Sequence, residues 1–226
     1  MKEQVTAKTI RWGMVIDLVR CNGCMTCVMT CKLENFMPPG IFWNRVYDYE
    51  IGEYPAVTRR ILTVPCMHCS KPVCVDVCPT GASQQSEEGI VFVDYDKCIG
   101  CSYCIISCPY DARSQFKGER YYYGEPTERD LYPDELKATY QRFKEGTSTK
   151  CTFCMDRVNS GLSSGKKPGV DPEATPLCVI NCPSIARIFG DLNDPDSEVS
   201  RLIRQRKGLR LHEELGTEPS VWYLQA

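Results

Sequence analysis

An α+β fold built around ligand loops is what this sequence predicts, and three observations carry that reading. Sixteen of the 226 residues are cysteine. They fall into four groups of four with none left over. Short β-rich segments precede two of the groups, so the chain reads as strand, ligand loop, short helix and strand, repeated. Cysteine counts towards the 42% apolar fraction, so part of the apparent core is ligand chemistry.

In chain order, GMVID is the first expected strand. It leads into CNGCMTCVMTC, which holds Cys21, Cys24, Cys27 and Cys31. Residues 32–65 follow as an insertion rich in aromatics and turn residues. The second group is CMHCSKPVCVDVCP, with Cys66, Cys69, Cys74 and Cys78. GIVFVDYD then mixes Ile90, Val91, Phe92, Val93 and Tyr95 in the pattern of a short buried strand. It enters CIGCSYCIISCP, with Cys98, Cys101, Cys104 and Cys108.

A second insertion spans residues 110–150. Within it Tyr121, Tyr122 and Tyr123 are expected to pack over a ligand site, and DELKATYQRFKEG reads as a short amphipathic helix ended by Gly146. The fourth group is split between CTFC (Cys151, Cys154) and CVINCP (Cys178, Cys182). The polar stretch SSGKKPGVDPEATP lies between its halves and should bulge outward. In DPDSEVSRLIRQRKGL, Asp194 is the expected helix cap, with Pro195 at the first position and Val199, Leu202 and Ile203 on the apolar face. The tail beyond Gly208 is expected to be mostly extended, packing Trp222 and Tyr223 on this chain or a neighbour.

Three chemistries compete for the thiols. A disulfide framework suits small secreted domains, but cysteines three apart would have to pair as near neighbours with poor geometry. Zinc takes two pairs in a tetrahedral site; the split fourth group fits that pattern better than the other three. The spacing C-x2-C-x2-C-x3-C-P of the third group is the bacterial iron–sulfur run, whose fourth cysteine binds the other cluster of a pair. The first group has the same spacing without the proline, and the other two are variants of it. Gly23 and Gly100 stand just before the second cysteine of their groups, where glycine permits positive φ and close backbone approach to inorganic sulfur. Pro79, Pro109 and Pro183 each follow a fourth cysteine and stop a regular element from continuing.

Charge and hydropathy exclude other classes. With 27 basic and 29 acidic side chains the net charge is −2, so nothing points to nucleic acid as a partner. No run approaches the roughly 18–20 apolar residues of a membrane span. The segment MKEQVTAKTIRWGMVID has no apolar export region, and the Arg59-Arg60 pair lies too far inside the chain to act as a twin-arginine signal. The expected location is therefore cytoplasmic, or periplasmic if a partner carries the export signal.

The segments VIDLVRCNGCMTCVMTCKLEN, PCMHCSKPVCVDVCPTGA, VDYDKCIGCSYCIISCPYDAR, KCTFCMDRV and CPSIARIFGDLNDPDSEVS resemble the iron–sulfur electron-transfer subunits of the dimethyl sulfoxide reductase superfamily. That superfamily comprises molybdopterin enzymes of molybdenum or tungsten. The resemblance covers nearly the whole chain. It implies two pseudo-symmetric bacterial-ferredoxin-like units, one inserted in the other. Residues 1–65 would begin the outer unit and carry the first insertion, and residues 66–109 would form the inner two-cluster unit. Residues 110–150 would be the second insertion, and residues 151–226 would complete the outer unit with the C-terminal helix and tail.

The resemblance also implies four 4Fe–4S clusters. Their ligand sets would be Cys98, Cys101, Cys104 with Cys78; Cys66, Cys69, Cys74 with Cys108; Cys21, Cys24, Cys27 with Cys182; and Cys151, Cys154, Cys178 with Cys31. It implies a molybdopterin catalytic subunit as partner, with a membrane anchor or soluble carrier at the other end. A polyferredoxin-like subunit of a hydrogenase or formate dehydrogenase complex is the alternative. No catalytic set stands out, every cysteine is taken as a ligand, and His212 is the only histidine besides His68. His68, Lys71, Lys97 and Lys150 flank ligands and are candidates for tuning potentials; an ordinary structural or surface role is the alternative for each.

Overall fold

The computed structural model describes residues 9–118, 131 and 143–225. Tyr121–Tyr123 and most of the expected helix in DELKATYQRFKEG lie outside the described residues.

The first expected strand forms as β1 (Trp12–Asp17), buried along its whole length. It is the centre of a three-stranded sheet, antiparallel to β8 (Arg187–Asp191) and parallel to β9 (Val221–Leu224). The tail thus packs on this chain as a strand. In register, Val15 faces Ile188 on one side and Trp222 on the other. Side chains alternate across the sheet. Met14 and Ile16 join the main core, while Val15, Ile188 and Leu224 meet the C-terminal helix.

That helix, α6 (Glu198–Gln205), buries Val199 and packs Leu202 and Ile203 on the sheet. Its cap is Ser197, whose Oγ accepts from the Ser200 N–H at 3.2 Å, and not Asp194 as the sequence suggested. Asp194 instead takes the Asp196 N–H at 2.9 Å. Its short carboxylate closes a local turn, so Pro195 lies ahead of the helix.

Three antiparallel strand pairs make up the rest of the described strands. The 32–65 insertion folds into the longest, β2 (Arg45–Ile51) with β3 (Thr58–Val64). The others are β4 (Ser83–Gln85) with β5 (Val91–Val93) and β6 (Arg113–Gln115) with β7 (Ser148–Lys150). Strand β5 is shorter than GIVFVDYD suggested because Asp94 Oδ1 takes the N–H of Asp96 at 3.0 Å and turns the chain.

Helices α1 (Thr26–Glu34), α2 (Val73–Asp76), α3 (Tyr103–Ile106) and α5 (Leu177–Ile180) carry the C-x3-C spacings. They pack as two like pairs, α2 beside α3 and α1 beside α5. Helix α4 (Met155–Ser163) opens the stretch between Cys154 and Cys178. Beyond it Lys166 and Lys167 are exposed, whereas Ala174 returns to full burial. The main core mixes Trp12, Trp43, Phe116, Phe143, Phe153, Phe189 and Tyr223 with Cys31, Cys66, Cys151 and Cys178.

Candidate iron–sulfur sites

The loops bring the cysteines together in fours. One hollow, of about 330 Å³ with its open mouth, is lined by Cys21, Cys24, Cys27 and Cys182. A second, of about 390 Å³, is lined by Cys66, Cys69, Cys74 and Cys108. A third, of about 380 Å³, is lined by Cys78, Cys98, Cys101 and Cys104. Burial pushes the Cys31 thiol up, and Cys151, Cys178 and Cys154 lie close enough for their charges to add to the rise. In each case the fourth cysteine of a group leaves the other three and joins a different set.

Local backbone conformation produces these hollows. Every C-x2-C loop contains left-handed residues: Gly23 (φ 72°), His68 (φ 43°), Gly100 (φ 71°) and Phe153 (φ 53°). Alternating right- and left-handed residues turn successive N–H groups to one side, a concavity that suits anions and iron–sulfur centres. At Gly100 a Cβ would also come within 2.5 Å of the Gly146 carbonyl oxygen, so a side chain is excluded on two counts.

Three fourth cysteines begin one repeated turn: Cys78-Pro-Thr-Gly-Ala, Cys108-Pro-Tyr-Asp-Ala and Cys182-Pro-Ser-Ile-Ala. Gly81, Asp111 and Ile185 are all left-handed. Each donates its N–H to the carbonyl of its cysteine, at 3.3, 3.2 and 3.0 Å. The turns also supply N–H donors to sulfur, Ser83 to Cys78 Sγ at 3.4 Å and Ala186 to Cys182 Sγ at 3.3 Å.

The thiols differ in their surroundings. Burial pushes Cys69 and Cys151 up to about 12 and raises Cys178 and Cys154 as well. The Thr26 hydroxyl holds Cys24 below the ordinary thiol value. At Cys78 burial works upward, but the Ser83 N–H and the Thr80 hydroxyl bring the thiol below it. Four thiols around one dry hollow ionise together only if a cation offsets them. An iron–sulfur core, which accepts and gives back single electrons, is such a cation. The donor set, the N–H-lined loops and the hollows therefore fit 4Fe–4S groups.

Comparison with known proteins agrees with this chemistry. Two families described as 4Fe–4S dicluster domain match residues 57–121 and 97–187. A selenate reductase subunit from Mesobacillus selenatarsenatis is 44% identical over 95% of this chain and 72% of its own length. A putative dimethyl sulfoxide reductase iron–sulfur subunit from Halobacterium salinarum is 40% identical over 94% of this chain and 78% of its own. The arsenate respiratory reductase iron–sulfur subunit of a Shewanella strain is 36% identical over 96% and 97%. The chain belongs to the iron–sulfur subunit family of the dimethyl sulfoxide reductase superfamily. It is an electron-transfer subunit of a reductase complex.

The iron–sulfur subunit also contains cations that its sequence did not disclose as site residues. Arg113 and Arg187 begin β6 and β8, each directly after the alanine of a repeated turn. They are 3% and 2% exposed, which for arginine requires anionic company. Arg113 Nη2 donates to Cys74 Sγ at 3.0 Å and to Ser83 Oγ. Arg187 Nη1 donates to Asn44 Oδ1 at 3.0 Å and to Cys178 Sγ at 3.6 Å, and its Nη2 to Thr63 Oγ1. The signal was legible as C-P-x-x-A-R, present at 108–113 and again at 182–187.

The flanking candidates separate cleanly. Lys71 and Lys97 are exposed and pair with Glu218 and Asp94. Lys150 is buried, its Nζ donating to the carbonyls of Val91 and Cys151. His68 is fully buried and stacks on Phe153 with ring centroids 3.7 Å apart. Burial holds it neutral, and its Nδ1 accepts the Val91 N–H at 3.0 Å, so Nε2 carries the proton. His212 is exposed and pairs with Glu214.

Proposed function

We propose that this subunit carries four 4Fe–4S clusters and relays single electrons between a molybdopterin catalytic subunit and a membrane anchor or soluble carrier. The ligand sets are Cys78/98/101/104, Cys66/69/74/108, Cys31/151/154/178 and Cys21/24/27/182. They follow one another in that order. Arg113 lines both the first and second hollows of this series. Cys66 acts electrostatically on Cys151, and Arg187 touches Cys178 while lining the last hollow.

This continuous series of thiol sets is the observation that carries the reading. The pairing of α2 with α3 and of α1 with α5 supports an inner unit at 66–109 inserted in an outer one formed by 1–65 and 151–226. Among the described residues no helix is long and apolar enough to cross a membrane, and the anchor in this scheme is a separate polypeptide. The relatives named for selenate, dimethyl sulfoxide and arsenate reductases support a catalytic partner of the molybdopterin class.

Metal and sulfide analysis of the purified complex tests the proposal. About sixteen irons with matching acid-labile sulfide per chain are expected for four cubanes, together with molybdenum or tungsten in the partner. Zinc without sulfide would overturn the cluster reading. A nickel-containing partner would move the subunit to a hydrogenase complex.

A further inference from the structure

Arg113 and Arg187 occupy equivalent positions in two copies of the same turn. Each begins a strand five residues after a fourth cysteine, and the turn aims its side chain inward. In the third copy this position is Ser83, which itself accepts a hydrogen bond from Arg113. Each guanidinium reaches one thiol set directly and the next through a hydroxyl residue. Arg113 touches Cys74 and Ser83, and the Ser83 N–H donates to Cys78 of the neighbouring set. Arg187 touches Cys178 and Thr63, and the Thr63 hydroxyl lies 3.9 Å from Cys27 of the neighbouring set.

Among the described residues neither guanidinium forms an ion pair with a carboxylate. A buried unpaired guanidinium costs several kcal/mol, so the thiol sets are its counter-charge. The structure carries a second sign of this. Arg113 Nη1 is buried with no hydrogen-bond partner among the described residues, while its side chain lines two hollows.

We propose that Arg113 and Arg187 are paired junction cations, each fixed between two neighbouring clusters and raising the reduction potentials of both together. This rests on the four-cluster reading above. A four-thiolate iron–sulfur site is net anionic and gains one negative charge on reduction, so a nearby fixed cation favours the reduced form. In a dry junction the effect is larger than in water. A cation that reaches one set directly and the next through a hydroxyl raises both potentials in the same direction. No bond forms and no proton moves: one electron leaves one site and arrives at the other, and the guanidinium stays protonated. Burial works against both charges, but the thiolates Cys74 and Cys104 around Arg113, and Cys178 and Cys27 around Arg187, hold both pKa values above the ordinary value.

The test is an EPR-monitored redox titration of the holo complex carrying R113Q, R113K, R187Q or R187K, with iron content measured alongside. R113Q should make reduction at least tenfold less favourable at two of the four clusters, about 59 mV for one electron. R187Q should do the same at the other two, and the lysine variants should stay near the parent values. Any of four results would overturn the proposal. One is unchanged potentials in the glutamine variants. Another is a shift confined to one cluster per variant, and a third is a shift equal in the lysine and glutamine variants. The last is loss of iron from lysine and glutamine variants alike, which would make the arginines structural. A parent complex without four cubanes would instead sink the underlying reading, whatever the variants do.

Discussion

The two end sets of thiols draw on the C-x2-C-x2-C runs and the two middle sets on the variant and split groups, and the two kinds sit at different depths. At the ends Cys24 and Cys101 are exposed, beside loops that also expose Met25, Ile99, Tyr103 and Ile106. In the middle Cys31, Cys66, Cys151 and Cys178 are buried among Met67, Trp43, Phe153 and Tyr223. Spacing gathers the thiols, and the covering segments fix their depth. Depth comes from what the intervening segments add. The β8-β1-β9 sheet packs with the middle cysteines in the main core, whereas at the ends the β2–β3 hairpin lines only one side of the Cys21 hollow through Val46 and Thr63, leaving Cys24 and Met25 exposed, as Cys101 and Ile99 are in the other end set. Electrons enter and leave a protein where a centre comes near the surface, so in the proposed relay the two exposed ends would be where partners exchange them.

The largest expected effect is on the middle. Cys151→Ser should remove more than one cluster's iron per chain and lower the melting temperature, since Cys151 is part of the main core and neighbours both middle sets. Cys101→Ser should cost no more than about four irons, one cubane, and leave melting nearly unchanged. Iron assays with calorimetry separate the two. Equal losses would erase the distinction between end and middle.

Removing metal should show the same contrast in time. When the oxidised complex is treated with a ferrous chelator, iron release is expected in two phases, with about half in the fast one. Near-surface clusters are reached first and buried ones wait for local opening. Release in a single phase would mean that one opening event exposes all four sites. The signals that disappear first should be those lost or altered in the Cys101→Ser variant.

How much of this was readable beforehand follows from locality. The thiol groups, the positive φ at Gly23 and Gly100, strand β1 and the apolar face of α6 were all legible, because each depends on residues within a few positions. The β2–β3 hairpin was hidden in a segment that read only as aromatic and turn-rich. The parallel pairing of β1 with β9 joins Met14 to Val221, and no local pattern announces such a contact. Arg113 and Arg187 escaped notice for a related reason. An arginine reads as a surface residue until a distant segment is known to cover it, although the repeated C-P-x-x-A-R turn marked both.

The smallest expected effect completes the comparison. Ile99→Ala should change stability by no more than about 0.5 kcal/mol, because Ile99 is 69% exposed on its loop. Leu224→Ala, on the sheet face beneath α6, should cost about 2–5 kcal/mol, because Leu224 is fully buried with Val15, Ile188 and Val199. Denaturant unfolding of the two variants with clusters intact gives both numbers. A cost at Ile99 approaching that at Leu224 would mean that the end loop is packed as firmly as the centre, and its exposed apolar residues would then be part of the fold and not a surface free to meet a partner.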